Sequence, residues 1–371
     1  MKFNPFKLER YMAEYEFTAP HLLCCSDCES LTLDSLLSMA DEKTLNLWKN
    51  LTLGYTESQG HPFLREEISK LYKNISADNI IVTAPQEAIL LFMLSMLSKD
   101  NHIISTFPSY QSLYEIGKST GCKTSFWKPD YNNGWFFDVE KLKKLIKPDT
   151  KLIIINFPHN PTGAIINRKQ FDEILKIADY HGIYVFSDEM YRFLEYDPNF
   201  ELPSAADIYK NAVSLCGMSK SLSLPGLRIG WLTTQNKKIM NKLKKYRDYT
   251  TICSSAPSEI LSIIGLKNRK KIVSENLKII KSNLKLLDMF FKRHNTLFSW
   301  NKPQAGPVAF VELKSGQNVE DFCIQTVKNH GVMLLPASTF DFKGNFFRIG
   351  FGRKNMPSAL KKFEKSLRDI N

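Results

Sequence analysis

Between residues 79 and 233, short apolar runs alternate with segments whose apolar positions recur at helical spacing. Apolar runs of this length predict buried strands, and helical spacing predicts amphipathic helices. The predicted strands cover residues 79–83, 102–106, 123–127, 151–156, 183–187, 212–216 and 229–233. The predicted helices between them cover residues 86–97, 110–119, 139–146 and 169–181. This alternation predicts an α/β fold with a mostly parallel central sheet, helices on both faces, and a functional site at the carboxyl ends of the strands.

The pattern changes on either side of this region. The later predicted elements are helices at 237–249, 257–266 and 271–293, strands at 305–313, 332–335 and 346–351 around a helix at 319–328, and a closing helix at 357–369. The first forty or so residues show an amphipathic segment but no strand–helix alternation, and a polar loop at 53–60 leads into a helix predicted at 61–73. We therefore predict a large α/β domain over residues 45–265 and a smaller α+β domain made of residues 1–44 and 266–371.

The composition is that of an ordinary globular protein, and the net charge of +12 raises the question of an acidic partner. The lysines fall mainly in predicted helices, where they alternate with apolar positions as on solvated helix faces. No nucleic-acid-binding motif accompanies them. The longest apolar run, residues 88–97, is too short to span a bilayer. We therefore expect neither a nucleic-acid nor a membrane partner.

The seven cysteines include a cluster, Cys24, Cys25 and Cys28. The C-x-x-C spacing of the last two lacks the second ligand pair that a zinc site needs, so we expect no metal. An odd number of cysteines in a long chain favours reduced thiols, and the first residues lack the apolar core of a signal peptide. These features predict a cytoplasmic protein.

A candidate for covalent chemistry lies just after the predicted strand at 212–216. Lys220 stands between two serines, and Arg228 follows after a Leu-Pro-Gly turn that can fold it back towards the lysine. A lysine buried in such a loop has a lowered pKa and can act as a nucleophile, while an arginine suits a phosphate group. Taken alone, the segment could equally be a basic loop between two strands.

Three further motifs change that interpretation. Asp188 and Tyr191 follow one predicted strand, Asn160 opens an Asn-Pro-Thr-Gly sequence after another, and Arg348 lies between apolar neighbours in a third. With the Lys220 segment, these motifs resemble the class I/II aminotransferases, which are fold-type-I pyridoxal-phosphate enzymes. The resemblance covers about residues 54–352.

The resemblance implies pyridoxal 5'-phosphate as cofactor, held by Lys220 as a Schiff base. It implies that Asp188 pairs with the ring nitrogen, and that Tyr191 and Asn160 contact the phenolic oxygen of the ring. Arg348 is then the residue that binds the α-carboxylate of the substrate, beside Asn160.

The resemblance also implies a phosphate cradle and an aromatic cover. Ser219 and Arg228 match the cradle, together with the turn at Pro85 and Gln86, where helix N-terminal amides can bind an anion. Pro85 stands where the family usually has glycine or a small residue, so one N–H donor is missing. Tyr110 matches the residue that stacks on the ring.

Tyr55 matches a tyrosine that reaches the phosphate of the neighbouring subunit. The resemblance therefore implies a homodimer with shared active sites.

The expected activity is transfer of an amino group between an L-amino acid and a 2-oxo acid. The alternative is a cyclase or lyase acting by β-elimination, because residues 26–29 look like a segment of antibiotic-biosynthesis members that act on arginine-derived substrates. There, Asp27 and Glu29 could favour a cationic side chain, or form a solvated acidic turn. A cofactor-binding transcriptional regulator is disfavoured, because the strand–helix series begins near residue 79 and leaves no room for a DNA-binding domain. A nucleotide-binding enzyme is disfavoured because no Walker A or G-x-G-x-x-G motif is present.

Overall fold

The fold was analysed in a computed structural model, which describes residues 2–368. The strands are His21–Leu22 (β1), Ile80–Thr83 (β2), His102–Thr106 (β3), Lys123–Trp127 (β4), Thr150–Asn156 (β5), Tyr184–Asp188 (β6), Ala212–Gly217 (β7), Gly230–Thr233 (β8), Phe298–Trp300 (β9), Val308–Leu313 (β10), Val332–Met333 (β11), Leu335–Pro336 (β12) and Phe346–Gly350 (β13). The helices are Lys7–Tyr15 (α1), Leu33–Leu37 (α2), Glu42–Lys49 (α3), Pro62–Ser69 (α4), Pro85–Met96 (α5), Ser112–Ser119 (α6), Val139–Leu145 (α7), Arg168–Tyr180 (α8), Ala205–Ile208 (α9), Lys237–Arg247 (α10), Ala256–Lys267 (α11), Arg269–Arg293 (α12), Val319–His330 (α13) and Met356–Ser366 (α14).

The central sheet has the strand order β2-β8-β7-β6-β5-β3-β4. All its neighbouring pairs are parallel except the two that β8 makes with β2 and β7. Strands β2, β3 and β7 are buried along their whole length, as expected for strands covered by helices on both faces. The predicted fold class, a mostly parallel sheet between helices, is therefore confirmed.

The register of the sheet brings three strand ends together. Asn156 at the end of β5 lies beside Asp188 at the end of β6, and Asp188 lies beside Leu215 of β7. Where β7 turns back into β8, Gly217 lies opposite Gly230. A Cβ atom on Gly230 would lie 2.9 Å from the carbonyl oxygen of Cys216, so the two strands can approach this closely only without side chains.

A second sheet, with the order β12-β13-β10-β9, is antiparallel and packs against α12, α13 and α14. The first part of the chain joins this sheet: β1 pairs with β11, and the amide of Gly350 donates a hydrogen bond of 2.9 Å to the carbonyl of Leu23. The segment that follows, residues 23–28, then runs along β13 towards the ends of the central strands.

The structure also contains elements that the sequence pattern did not predict, notably β1, β9 and α3. The predicted helix at 61–73 ends at Ser69, and residue 369 of the predicted closing helix lies outside the described residues. Helices α2 and α3 pack against α11. The division at residues 44/45 and 265/266 stays a prediction. Within residues 2–368, the structure has no helix that combines the length and apolarity needed to cross a membrane.

Candidate active site

A cavity of about 340 Å³ opens where the carboxyl ends of β5, β6 and β7 face α1 and β13. Every predicted site residue except Tyr55 lines it: Pro85, Gln86, Tyr110, Asn160, Asp188, Tyr191, Ser219, Lys220, Arg228 and Arg348. Tyr55 is 93% exposed on the loop before α4. The cavity therefore gathers residues from widely separated parts of the sequence.

Lys220 reaches the cavity from the loop between β7 and β8. Its Nζ donates a hydrogen bond of 2.8 Å to Oγ of Ser26. Burial lowers the pKa of the Lys220 amine; Asp27 opposes that effect, and the nearby charge of Arg348 adds to it. A lysine in these surroundings releases its proton more readily than one in water and can act as a nucleophile or a base.

Asp188 is a buried carboxyl group at the end of β6 and is 6% exposed. Its Oδ1 accepts a hydrogen bond of 3.1 Å from the amide of Met190. Burial raises its pKa to about 7, and the Met190 hydrogen bond only partly opposes this. Among the described residues, no cation lies within ion-pair distance of this carboxylate. This buried carboxylate is therefore free to pair with a positively charged atom of a bound ligand.

Ser219 and Arg228 form the polar end of the cavity. The Oγ atom of Ser219 is buried and has no hydrogen-bond partner within residues 2–368. Arg228 has a left-handed backbone (φ 53°), and its NH1 atom donates a hydrogen bond of 2.8 Å to the carbonyl of Pro225. Helix α5 begins at Pro85 on the same wall. An unpaired hydroxyl, a guanidinium and a helix N-terminus form a donor set that fits a phosphate group.

Tyr110 is covered by α1. Its hydroxyl donates a hydrogen bond of 2.7 Å to Oε1 of Glu9, and its ring centroid lies 4.9 Å from that of Phe6. Burial raises the pKa of Tyr110, and the Glu9 carboxylate raises it further. An ion pair of 2.7 Å between Lys7 and Asp341 fixes the same helix to the smaller sheet's side. Helix α1 therefore shields the cavity from solvent, a role that its sequence did not indicate.

Arg348 lies on β13 and is 2% exposed. Its Nε and NH2 atoms donate hydrogen bonds of 3.1 and 2.8 Å to the carbonyl of Cys24, and its NH1 atom donates one of 3.2 Å to Oδ1 of Asn160. No carboxylate among the described residues forms an ion pair with this guanidinium. Its charge is therefore available to an anionic group of a substrate.

Ser26 was not singled out by sequence reasoning, although it touches two predicted residues. Its Oγ accepts from Lys220, and its carbonyl oxygen accepts a hydrogen bond of 2.8 Å from the Tyr191 hydroxyl. The Tyr191 hydroxyl, which the sequence led us to place against a cofactor, is here held by the arm of residues 23–28. The only sequence signal for Ser26 was its position in the segment 26–29.

The two carboxylates of that segment have different surroundings. Asp27 lines the cavity and accepts two hydrogen bonds, of 3.1 and 2.8 Å, from Arg353. Glu29 lies outside the cavity lining and accepts a hydrogen bond of 2.8 Å from the amide of Lys354. Glu16, just after α1, lines the cavity; its carboxylate makes no hydrogen bond with the described residues, and burial raises its pKa. Asp27, and not Glu29, therefore belongs to the cavity wall, together with Glu16 and with Glu9, whose carboxylate is bound by Tyr110.

The cysteines are all free thiols, and Cys25 alone of the clustered three lines the cavity. In the part of the chain that the structure describes, no group of three or more His, Cys, Asp or Glu side chains could hold a metal ion.

Known proteins resemble this chain in sequence and in fold. The family model for aminotransferases of class I and II matches residues 23–363. A probable aspartate aminotransferase of Methanocaldococcus jannaschii is 26% identical over 312 residues, which cover 81% of this chain and 81% of that protein. A capreomycidine synthase of Streptomyces vinaceus is 25% identical over 266 residues, which cover 71% of this chain and 67% of that protein. The crystal structure of a pyridoxal-phosphate-dependent aminotransferase from Streptococcus suis has a TM-score of 0.93 and 32% identity, and the match covers 100% of this chain and 99% of that one.

Proposed function

The chain belongs to the aminotransferase class I and II family, and on that premise we propose that Lys220 carries its reaction. The protein is a pyridoxal-phosphate-dependent aminotransferase, which moves an amino group between an L-amino acid and a 2-oxo acid. The assignment to Lys220 is supported by the position of its amine, which faces the same cavity as the buried carboxyl of Asp188 and the guanidinium of Arg348, which has no carboxylate partner among residues 2–368.

Each group of the cavity has a distinct task in this proposal. When bound, the cofactor supplies a protonated pyridine ring that withdraws electrons from the α-carbon of the amino acid. Asp188 holds the proton on the ring nitrogen, because a buried carboxylate is stabilised by a positive charge beside it. Ser219 and Arg228 bind the phosphate. Tyr110, covered by α1, would cover the cofactor ring and exclude water from it.

The substrate is bound and deprotonated by a second set of groups. Arg348 binds the α-carboxylate through two N–H donors, and Asn160 fixes the direction of the guanidinium through its 3.2 Å hydrogen bond. The amine of Lys220 then removes the proton from the α-carbon, because its lowered pKa leaves a larger fraction of the amine unprotonated. The same amine can afterwards donate that proton to a different carbon atom. Ser26, at 2.8 Å from Nζ, holds the amine in place while it is free.

β-Elimination is the second candidate reaction, and one feature of the cavity fits the cationic side chain that we expect of its substrate. The unpaired carboxylate of Glu16, beside the Asp27–Arg353 pair, suits a substrate with a cationic side chain rather than aspartate. The similarity to a capreomycidine synthase points in the same direction. Deprotonation by Lys220 is common to both reactions, and the outcome depends on whether the β-carbon carries a leaving group.

We also infer a homodimer with shared sites in the cytoplasm. The exposed Tyr55 supports the first inference, since a side chain 93% exposed in one chain is free to contact a second. The free cysteines support the second, since reduced thiols are typical of that compartment. The large domain, residues 45–265, would then carry the cofactor, and residues 1–44 with 266–371 would close over it.

The decisive experiment incubates the cofactor-loaded protein with a panel of amino acids in the absence of any 2-oxo acid. A transaminase must stop after one equivalent of product per site, with the cofactor left in its amine form. The Lys220→Ala variant should lose both this product and the visible absorbance of the bound cofactor, because it lacks the amine. The Lys210→Ala variant, which changes an exposed lysine before β7, should behave as wild type.

Two results would contradict the proposal. Continued turnover without a 2-oxo acid, with the aldehyde form of the cofactor retained, would reject transamination in favour of elimination. Turnover by Lys220→Ala at the wild-type rate would reject the whole assignment of the site.

A further inference from the structure

A second cleft, of about 580 Å³, lies between the loop that follows β6 and the first turns of α12. Its lining shares no residue with that of the active-site cavity. Six basic side chains of the described residues line it: Lys70, Arg192, Arg269, Lys270, Lys278 and Lys281. Two carboxylates, Glu195 and Glu201, line it as well. The cleft therefore carries an excess of positive charge.

Arg192 is the buried member of this group, with 7% of its surface exposed. Its NH2 atom donates a hydrogen bond of 3.3 Å to the carbonyl of Leu71. Its Nε and NH1 atoms have no hydrogen-bond partner among residues 2–368, and Oε2 of Glu189 lies 4.0 Å from NH1. Buried donors without acceptors are costly, and native structures rarely leave them unpaired.

Arg269 is held close to Arg192 by an aromatic ring. The guanidinium carbon atoms of Arg192 and Arg269 lie 4.9 and 4.6 Å from the ring centroid of Phe193. The guanidinium of Arg269 makes no hydrogen bond or ion pair within the described part of the chain. Burial lowers its pKa, and the charge of Arg192 lowers it further. Two like charges are therefore fixed near each other, and Glu189, at 4.0 Å from Arg192, is the one carboxylate of residues 2–368 within ion-pair distance of either guanidinium.

Glu189 does not line the cleft, and the two carboxylates that do, Glu195 and Glu201, form no ion pair with Arg192 or Arg269 within residues 2–368. Glu201 is exposed to solvent. Burial raises the pKa of Glu195 to about 7, so at neutral pH this group carries only part of a negative charge. The positive charge of the cleft is thus left for a ligand.

We propose that this cleft binds a small phosphate-bearing anion at a site separate from the active site. The guanidinium groups of Arg192 and Arg269 match the several oxygens of a phosphate, and the lysines along α12 suit a second charged group. Because one wall is the loop after β6 and the other is α12, a bound anion holds these two elements together.

The test uses isothermal titration of the cofactor-saturated holoenzyme with pyrophosphate, so that the phosphate contacts of the active site are already filled. We expect one binding event per chain. Replacing Arg269, which is half-buried, with glutamine should weaken binding roughly tenfold, the effect expected for one charge-assisted hydrogen bond. Glu201→Gln should strengthen binding, because it removes a competing negative charge. The control is Lys361→Gln, which removes the same charge from an exposed position on α14 and should change nothing.

Three results would overturn the proposal: no binding to the wild type, an equal loss in Arg269→Gln and Lys361→Gln, or succinate binding as tightly as pyrophosphate. The last would show that the cleft attracts any dianion rather than a phosphate. Each variant is first checked for wild-type cofactor absorbance and melting temperature, so that a folding defect is not mistaken for lost binding. Should Arg269→Gln fail that check, Lys281→Gln replaces it.

Discussion

At the scale of single residues, Asp188 combines deep burial with a titration near neutrality. Its pKa is raised from 3.8 to about 7 by burial, so the folded protein holds a proton that the unfolded chain has released between these pH values. The free energy of unfolding of the cofactor-free protein should therefore fall as pH rises through this range. Asp188→Asn removes this pH dependence, so its stability relative to the wild type should rise by roughly 2.6 kcal/mol between pH 5 and pH 8.

Urea unfolding of the cofactor-free wild type and of cofactor-free Asp188→Asn at pH 5 and pH 8 measures the difference in their free energies of unfolding. Asp100→Asn, the same change at an exposed turn, is the control and should track the wild type. A stability difference between Asp188→Asn and wild type that is the same at both pH values would contradict the expected burial effect. Added cofactor should favour the wild type at pH 8, since its ring nitrogen supplies the missing cation.

Whether a cavity residue could be identified from the sequence depends on how far away in the sequence its partners lie. Lys220, Asp188 and Asn160 could be proposed because each belongs to a short local motif at the end of an apolar run. Ser26 and Glu9 could not, because their partners, Lys220 and Tyr110, lie 194 and 101 positions away. The residues around Ser26 in the sequence give no signal that its hydroxyl will accept a hydrogen bond from Lys220.

At the scale of elements, β13 and the first part of the chain are in close backbone contact at Gly350. A Cβ atom on Gly350 would lie 1.9 Å from the carbonyl oxygen of Cys25, so any side chain must push the arm away. We expect Gly350→Ala to displace Ser26 and the Cys24 carbonyl that holds Arg348, and to lower kcat/KM by at least about tenfold, because misplacement of catalytic groups is costly.

Steady-state kinetics with the best amino acid of the panel checks this prediction. Gly226→Ala is the matched control, since a Cβ atom there meets nothing within 4 Å. Unchanged kinetics in Gly350→Ala would mean that the arm does not position the site.

The elements themselves were predictable where the pattern is long enough. The central strands appear as buried apolar runs and the helices as amphipathic segments, and both were placed to within a few residues. Strand β1 has two residues and β9 has three, too few for any periodicity to register. Strand β8 runs antiparallel to β7, to which residues 218–229 connect it. An apolar run predicts a strand but not the direction of that strand.

At the scale of the whole molecule, the loop that carries Tyr55 is well anchored although its tip is exposed. Thr56 donates a hydrogen bond of 3.1 Å to Oε2 of Glu259, and the amide of Val82 donates one of 2.9 Å to the carbonyl of Gln59. Leu53 beside it is 87% exposed. Such a loop is suited to reach into a second subunit.

If Tyr55 acts across the dimer, co-expressed Lys220→Ala and Tyr55→Ala chains should form mixed dimers with one intact site. We expect these dimers to regain up to about half of the wild-type activity per dimer, because one of two equivalent sites is whole. Lys220→Ala mixed with Arg348→Ala is the control and should regain nothing, since both residues line the cavity of one chain. Activity of the first mixture no higher than that of either parent would show that the sites are not shared.

The anchoring of β13 on the N-terminal arm has a further consequence for biosynthesis. Arg348 is held by the carbonyl of Cys24, a residue 324 positions earlier in the chain. At ~5–20 residues per second, a ribosome needs roughly 20–60 seconds to translate that interval. During this time Cys24 has left the exit tunnel while its partner does not yet exist. Lys220 and Asp188 are also translated before Arg348, so the part of the cavity wall that β13 forms is still missing when they emerge. We therefore expect the cavity to be completed only after β13 has been translated, and the cofactor to bind after that point.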